Sequence, residues 1–85
     1  MEIRTTIHFD RNYKKLPSAI KKKAEVRELI FKANPFDPRL NTHKLKGNRK
    51  EEWAYSVDYS YRIVFVFMGS DKILYLDVGT HDELY

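Results

Sequence analysis

The sequence contains no cysteine, so neither a disulfide scaffold nor a zinc-thiolate cluster can be built from it, and a reducing cytoplasm fits. No run approaches the roughly 18 apolar residues needed to span a bilayer. The first nine residues lack both the apolar stretch and the small-residue cleavage site of a secretion signal. The chain therefore reads as soluble, with no membrane partner. Also absent are a glycine-rich phosphate loop, an H-E-x-x-H or paired-cysteine spacing and a defensible Ser-His-Asp arrangement, so no metal site and no cofactor are expected. Three glycines and three prolines leave no low-complexity linker.

What is present is charge of two signs, unevenly spread. Residues 1–50 carry fourteen Lys and Arg against five Asp and Glu, a balance of +9, whereas residues 51–85 carry two against seven, a balance of −5. A basic surface concentrates polyanions and speeds encounter with them, which makes nucleic acid a candidate partner. For Lys21, Lys22 and Lys23 the alternative is a solvated helix face. At 85 residues the chain is expected to be one domain, 1–85, with one layer of helix on one sheet.

Ile3, Thr5, Ile7 and Phe9 alternate with Arg4, Thr6 and His8, the period of a first strand with one buried face and His8 on its polar side. Asp10 can cap a short helical turn through Tyr13 and Lys15. Pro17 then opens a longer helix to about Ala33, with Leu16, Ala19, Ile20, Ala24, Val26, Ile30, Phe31 and Ala33 on the apolar half. Asn34-Pro35 stops it, and the segment to Arg39 is turn-rich.

A short strand is expected at His43–Leu45, a turn at Gly47, and an amphipathic strand from Trp53 through Tyr55, Val57 and Tyr59. Tyr61–Phe67 is nearly all apolar apart from Arg62, and Ile73–Val78 is a last strand ending at Gly79. The expected fold class is α+β: two N-terminal helices packed on a mainly antiparallel sheet of four to five strands, in the order β-α-α-β-β-β.

The run Leu45-Lys46-Gly47, then Trp53, then Tyr61-Arg62-Ile63-Val64-Phe65, and finally Gly79-Thr80-His81-Asp82-Glu83-Leu84-Tyr85, resembles the RelE/ParE toxin superfamily, in particular its YafQ-like and YoeB-like ribonuclease branches. The likeness extends to the Leu16-Pro17 helix start and the Asn34-Pro35-Phe36 loop. It implies the RelE-like fold and a cytoplasmic toxin of a type II toxin-antitoxin system. Such a toxin, alone as a monomer or in a toxin-antitoxin hetero-oligomer, is silenced by a cognate small acidic antitoxin. It enters the ribosomal A site and cuts mRNA there without a metal, the RNA's own 2′-hydroxyl attacking the scissile phosphate. The alternatives are a ParE-like toxin that inhibits DNA gyrase and a degenerate toxin that only binds its antitoxin.

That chemistry needs a base, an acid and a cation, and histidine, with an ordinary pKa near 6.5, serves either proton-transfer role. The resemblance marks His43 and His81 as the candidate pair. Which is acid and which is base stays open, because Ser60-Tyr61 and Asp77-Val78 depart from the YafQ-like pattern. Both histidines could instead be solvated, as could His8, which no motif surrounds. Arg62 is expected to grip the phosphate; its alternative is an internal ion pair with Asp58 or Asp77. Tyr85 could stack on a base or fray. Lys44, Lys46, Arg49 and Lys50 are expected to share one anion as RNA-binding cations, with Trp53 and Tyr61 either binding RNA or belonging to the core.

Overall fold

The computed structural model describes residues 1–49 and 51–85. Five strands, β1 (Glu2–Thr5), β2 (His43–Lys44), β3 (Trp53–Ser56), β4 (Tyr61–Phe67) and β5 (Lys72–Thr80), form one sheet in the order β1-β5-β4-β3-β2. Every neighbouring pair is antiparallel except β1 and β5, which run parallel. The two long helices, α1 (Ile7–Lys14) and α2 (Ser18–Ala33), follow β1 directly, and a third, α3 (His81–Leu84), ends the chain. The expected α+β arrangement is thus present, with five strands and an additional C-terminal turn of helix. No helix among the described residues is long and apolar enough to cross a membrane.

The first strand is shorter than its alternation suggests. Thr6 accepts the Phe9 N–H on its hydroxyl oxygen at 3.0 Å, and its own O–H donates to the Leu76 carbonyl. It therefore caps α1 four residues before Asp10, the cap expected from sequence, and Asp10 takes a first-turn position favoured by the helix dipole. Ile7 and Phe9 lie on the helix, so Ile7 is exposed while Phe9 is buried. His8 belongs to that helix as well, where its Nε2 stands 3.1 Å from the Asp77 carboxylate.

α2 matches its expected span, with Pro17 in the capping position, and it buries Ile20, Ala24 and Phe31. Val26, Ala19 and Ala33, assigned from sequence to the apolar half, are exposed. The core on this side joins those residues to Phe9, Leu40, Tyr55, Val57, Ile63, Phe65, Ile73, Tyr75 and Val78. The hydroxyls of Tyr55 and Tyr75 meet at 2.8 Å within it, which satisfies two phenols whose burial pushes both pKa values up.

A second, smaller cluster occupies the other face of the sheet. Leu45, Ala54, Val64 and Leu84 are buried there with Leu76 against them, so α3 folds back across the face that α1 and α2 leave uncovered. Two sequence expectations fail at this end. β3 stops at Ser56, because the chain turns through Val57–Ser60 and leaves Tyr59 97% exposed. β5 continues past Val78 to Thr80, and a register shift at Val64/Phe65 leaves Leu76 as the extra residue of β5.

Candidate functional site

Alternation along β4 puts Ile63 and Phe65 toward α2 and turns Arg62 and Val64 to the opposite face. Arg62 pairs with Ser56 on β3 and with Gly79 on β5. It is half-buried and makes no ion pair among the described residues. The two carboxylates expected as its alternative partners, Asp58 and Asp77, are engaged elsewhere. Asp58 accepts the Ser60 and Tyr61 N–H groups at 2.9 and 2.8 Å and stands 3.5 Å from Lys23 Nζ. Burial raises the Asp58 pKa, but those hydrogen bonds and the Lys23 charge outweigh it and hold the carboxyl below its ordinary value. Asp77 is bound to Asn12 at 2.7 Å and to His8.

His81 opens α3 beside this guanidinium. Thr80 accepts from the Glu83 N–H, and Glu83 Oε1 accepts from the Thr80 N–H at 2.7 Å, a reciprocal cap that fixes the start of the turn. Arg62 and His81, with Asn41, Ser56, Asp58 and Tyr59, line an open concavity of about 450 Å³. His81 is exposed, and its ring meets the edge of Tyr85 at 4.7 Å between centroids.

His43 sits on the edge strand β2, exposed, with Nδ1 3.0 Å from the Asn41 carbonyl. Its register partner is Ala54, so it shares the face of Arg62. Two strand spacings and a two-residue offset separate the Cα atoms of His43 and Arg62 by roughly 12 Å. His43 shares that face but is not among the residues that line the concavity of Arg62 and His81.

Tyr85 is half exposed and stands over Arg49, whose guanidinium carbon is 5.6 Å from the ring centroid. Burial raises its phenol pKa, and the positive charges of Arg62 and Arg49 oppose that rise. Arg49 also donates to the Leu84 carbonyl at 2.6 Å and pairs with Glu52 at 2.8 Å. It is therefore a strut of the C-terminal turn.

The cations expected to share one anion do not gather among the described residues. Lys44 lies on the helix-side face over the Trp53 ring at 5.8 Å, Lys46 is exposed, and Arg49 is tied to the C-terminus. Lys50 lies outside the described residues. Trp53 and Tyr61 pack against the helix-side core, opposite Arg62, so their place is the core edge. Pairing alternation decides this, since neither residue can face the concavity without reversing Tyr55 and Ile63.

Four lining residues went unrecognised in the sequence: Asn41, Ser56, Asp58 and Tyr59. Asn41 carried a faint signal, since it adopts a left-handed backbone, φ 52°, which asparagine tolerates better than most residues. Thr80-x-x-Glu83 was a legible capping signature for α3. No three His, Cys, Asp or Glu side chains gather as a metal would need among the described residues.

No family model matches the sequence, and no curated protein matches it either. Solved structures do. The YoeB/ParE toxin from Agrobacterium tumefaciens superposes with a TM-score of 0.80 at 19% identity over 95% of this chain and 99% of its own. YafQ from E. coli gives 0.83 at 15% identity over 99% and 97%. The E. coli DinJ-YafQ toxin-antitoxin complex gives 0.73 at 17% identity over 99% and 96%. The parallel β1–β5 pair, the two helices over one sheet face and the C-terminal turn over the other thus form the fold of the RelE/ParE-type toxins.

Proposed function

We propose that this chain is the toxin of a toxin-antitoxin pair and that it acts as an endoribonuclease on mRNA in the ribosomal A site. The observation that carries the reading is Arg62, a half-buried guanidinium with no ion pair among the described residues, which shares an open concavity with His81. A partly buried guanidinium has given up some of its hydration, and a phosphodiester is a ligand that would replace it with two-pronged hydrogen bonding.

In the proposed reaction a base takes the proton of the RNA 2′-hydroxyl, and that oxygen attacks the adjacent phosphorus. The P–O5′ bond breaks as an acid protonates the departing oxygen, leaving a 2′,3′-cyclic phosphate and a 5′-hydroxyl; water then opens the ring to a 3′-phosphate. His81 and His43 are the proton-transfer pair, since histidine as a residue type exchanges protons near neutral pH. Arg62 stabilises the charge that builds on the phosphate oxygens. Tyr85 orients the His81 ring through their edge contact and offers a stacking surface.

The partner fits the charge pattern. A small acidic antitoxin complements the +9 of residues 1–50, and a YafQ toxin of the same fold has been solved with DinJ. Purification of the untagged native complex should yield a second small acidic chain.

The test is primer extension on translated messages. Wild-type protein should create discrete cut sites, and Arg62→Ala and His81→Ala should each abolish them while retaining the fold. Undiminished cutting by either variant refutes the assigned site. Inhibition of gyrase supercoiling without RNA cleavage would move the protein to the ParE-like class.

A further inference from the structure

Tyr59 has the most exposed ring among the described residues, at 97%, yet the segment that carries it is tightly held. The Val57 N–H donates to the Tyr61 carbonyl at 2.8 Å, and Asp58 Oδ1 accepts from both Ser60 and Tyr61. Val57 is anchored in the core at 1% exposure, and Lys23 reaches the other Asp58 oxygen from α2. The turn therefore presents an aromatic ring to solvent at little cost in loop ordering. Such a ring gains from a flat partner, and it has none among the described residues.

Its position says what that partner is. Tyr59 borders the same concavity as Arg62 and His81, together with Asn41 and Ser56, whose amide and hydroxyl can meet polar edges, and Asp58, whose carboxylate is held by the Ser60 and Tyr61 N–H groups and by Lys23. At about 450 Å³ the space lies within the range of small-ligand sites, about 300–1,000 Å³. An anion-seeking guanidinium and an unstacked ring in one open hollow describe a ligand with a phosphate next to a planar heterocycle.

We infer that Tyr59 is a base-stacking platform for a nucleotide adjoining the phosphate held by Arg62, and so a determinant of where the RNA is cut. The inference rests on the ribonuclease reading above and adds to it a residue that nothing in the sequence pattern marked. Tyr59 and Tyr85 then supply separate stacking surfaces, since Tyr85 lies against His81 and Arg49 and not in this lining.

The experiment compares wild type, Tyr59→Ala, Tyr59→Phe and Arg62→Ala on translated messages that differ in the bases around one cut site. Tyr59 touches so little of the protein that its replacement should leave thermal unfolding unchanged. Tyr59→Ala should slow cleavage by about 5- to 150-fold, the range of one lost stacking contact, whereas Tyr59→Phe should cut as wild type does. The slowing should be greatest where one particular position holds a purine, the better stacking base. Cleavage by Tyr59→Ala at the wild-type rate, or a fall that is equal for every base at every position, overturns the inference while the loss in Arg62→Ala keeps the nuclease reading. Absence of cleavage by wild type removes both.

Discussion

Replacing Arg49 with alanine should undock the C-terminal turn without unfolding the sheet. A helix of four residues has no stability of its own, so α3 depends on what fastens it: Leu84 in the second cluster, the Thr80–Glu83 cap and Arg49. A hydrogen bond from a charged donor is worth about 1.5–3 kcal/mol. A cation over an aromatic ring at an exposed site adds about 0.5–1 kcal/mol. The Glu52 pair is partly solvated and contributes little, and the freed Leu84 carbonyl can be hydrated, so the low end applies. The local loss is then about 2 kcal/mol, or roughly a 30-fold rise in the open population at about 1.4 kcal/mol per factor of ten. The reporter is amide exchange at Tyr85, whose N–H donates to the His81 carbonyl at 3.0 Å. It should exchange about 30-fold faster, with Ile63 and Val64 in β4 unchanged. Unaltered protection at Tyr85, or equal loss throughout the sheet, would refute the strut. Arg49→Lys should recover only part of the effect, because an ammonium cannot span Glu52 and the Leu84 carbonyl as the fork does.

Other outcomes follow from the same contacts. Leu84→Ala should cost about 2 kcal/mol, the low end for a buried leucine, measured by urea unfolding; a loss below about 0.5 kcal/mol would mean that α3 does not rest on that cluster. At Gly79 an added Cβ would meet Glu83 Oε1 at 3.0 Å and the Glu83 Cβ at 3.3 Å, so Gly79→Ala should push the carboxylate off the Thr80 N–H. The expected cost is about 1 kcal/mol, seen as faster exchange at Thr80 with β3 unaffected. The Arg39 guanidinium beside Asp37 holds its carboxyl at about 2, below the ordinary 3.8, so the folded state binds that proton less readily than the unfolded. Its contribution is complete above about pH 3.8 and is lost as pH falls toward 2. Asp37→Asn should flatten stability across that window and leave it sloped as in wild type only if the pairing is absent in solution.

The reciprocal roles of the two sheet faces explain why the open face can host chemistry. α1 and α2 cover the centre of the aromatic side, which frees the other face to carry a cation, two histidines and a short turn of helix over a small apolar patch. Phe36, Trp53 and Phe67 stack at the sheet margin as an aromatic edge to the core, with ring centroids 5.3 to 6.1 Å apart where they and Phe65 meet.

Local chemistry in the sequence determined the span of α2, through Pro17 and Asn34-Pro35, the span of β4, through its apolar run, and the oddity of a cation within that run. These are properties of neighbours along the chain. It also misread Ile7, Phe9, Val57 and Tyr59 as strand, because alternation alone does not weigh a threonine cap or a turn closed by an aspartate. Which face each side chain takes, and so the company of Arg62 with His81 and the separation of Trp53 and Tyr61 from both, depends on sheet register and on α3 crossing the second face. Those are long-range pairings whose free energy comes from burying surfaces distant in sequence, and only the assembled fold decides them.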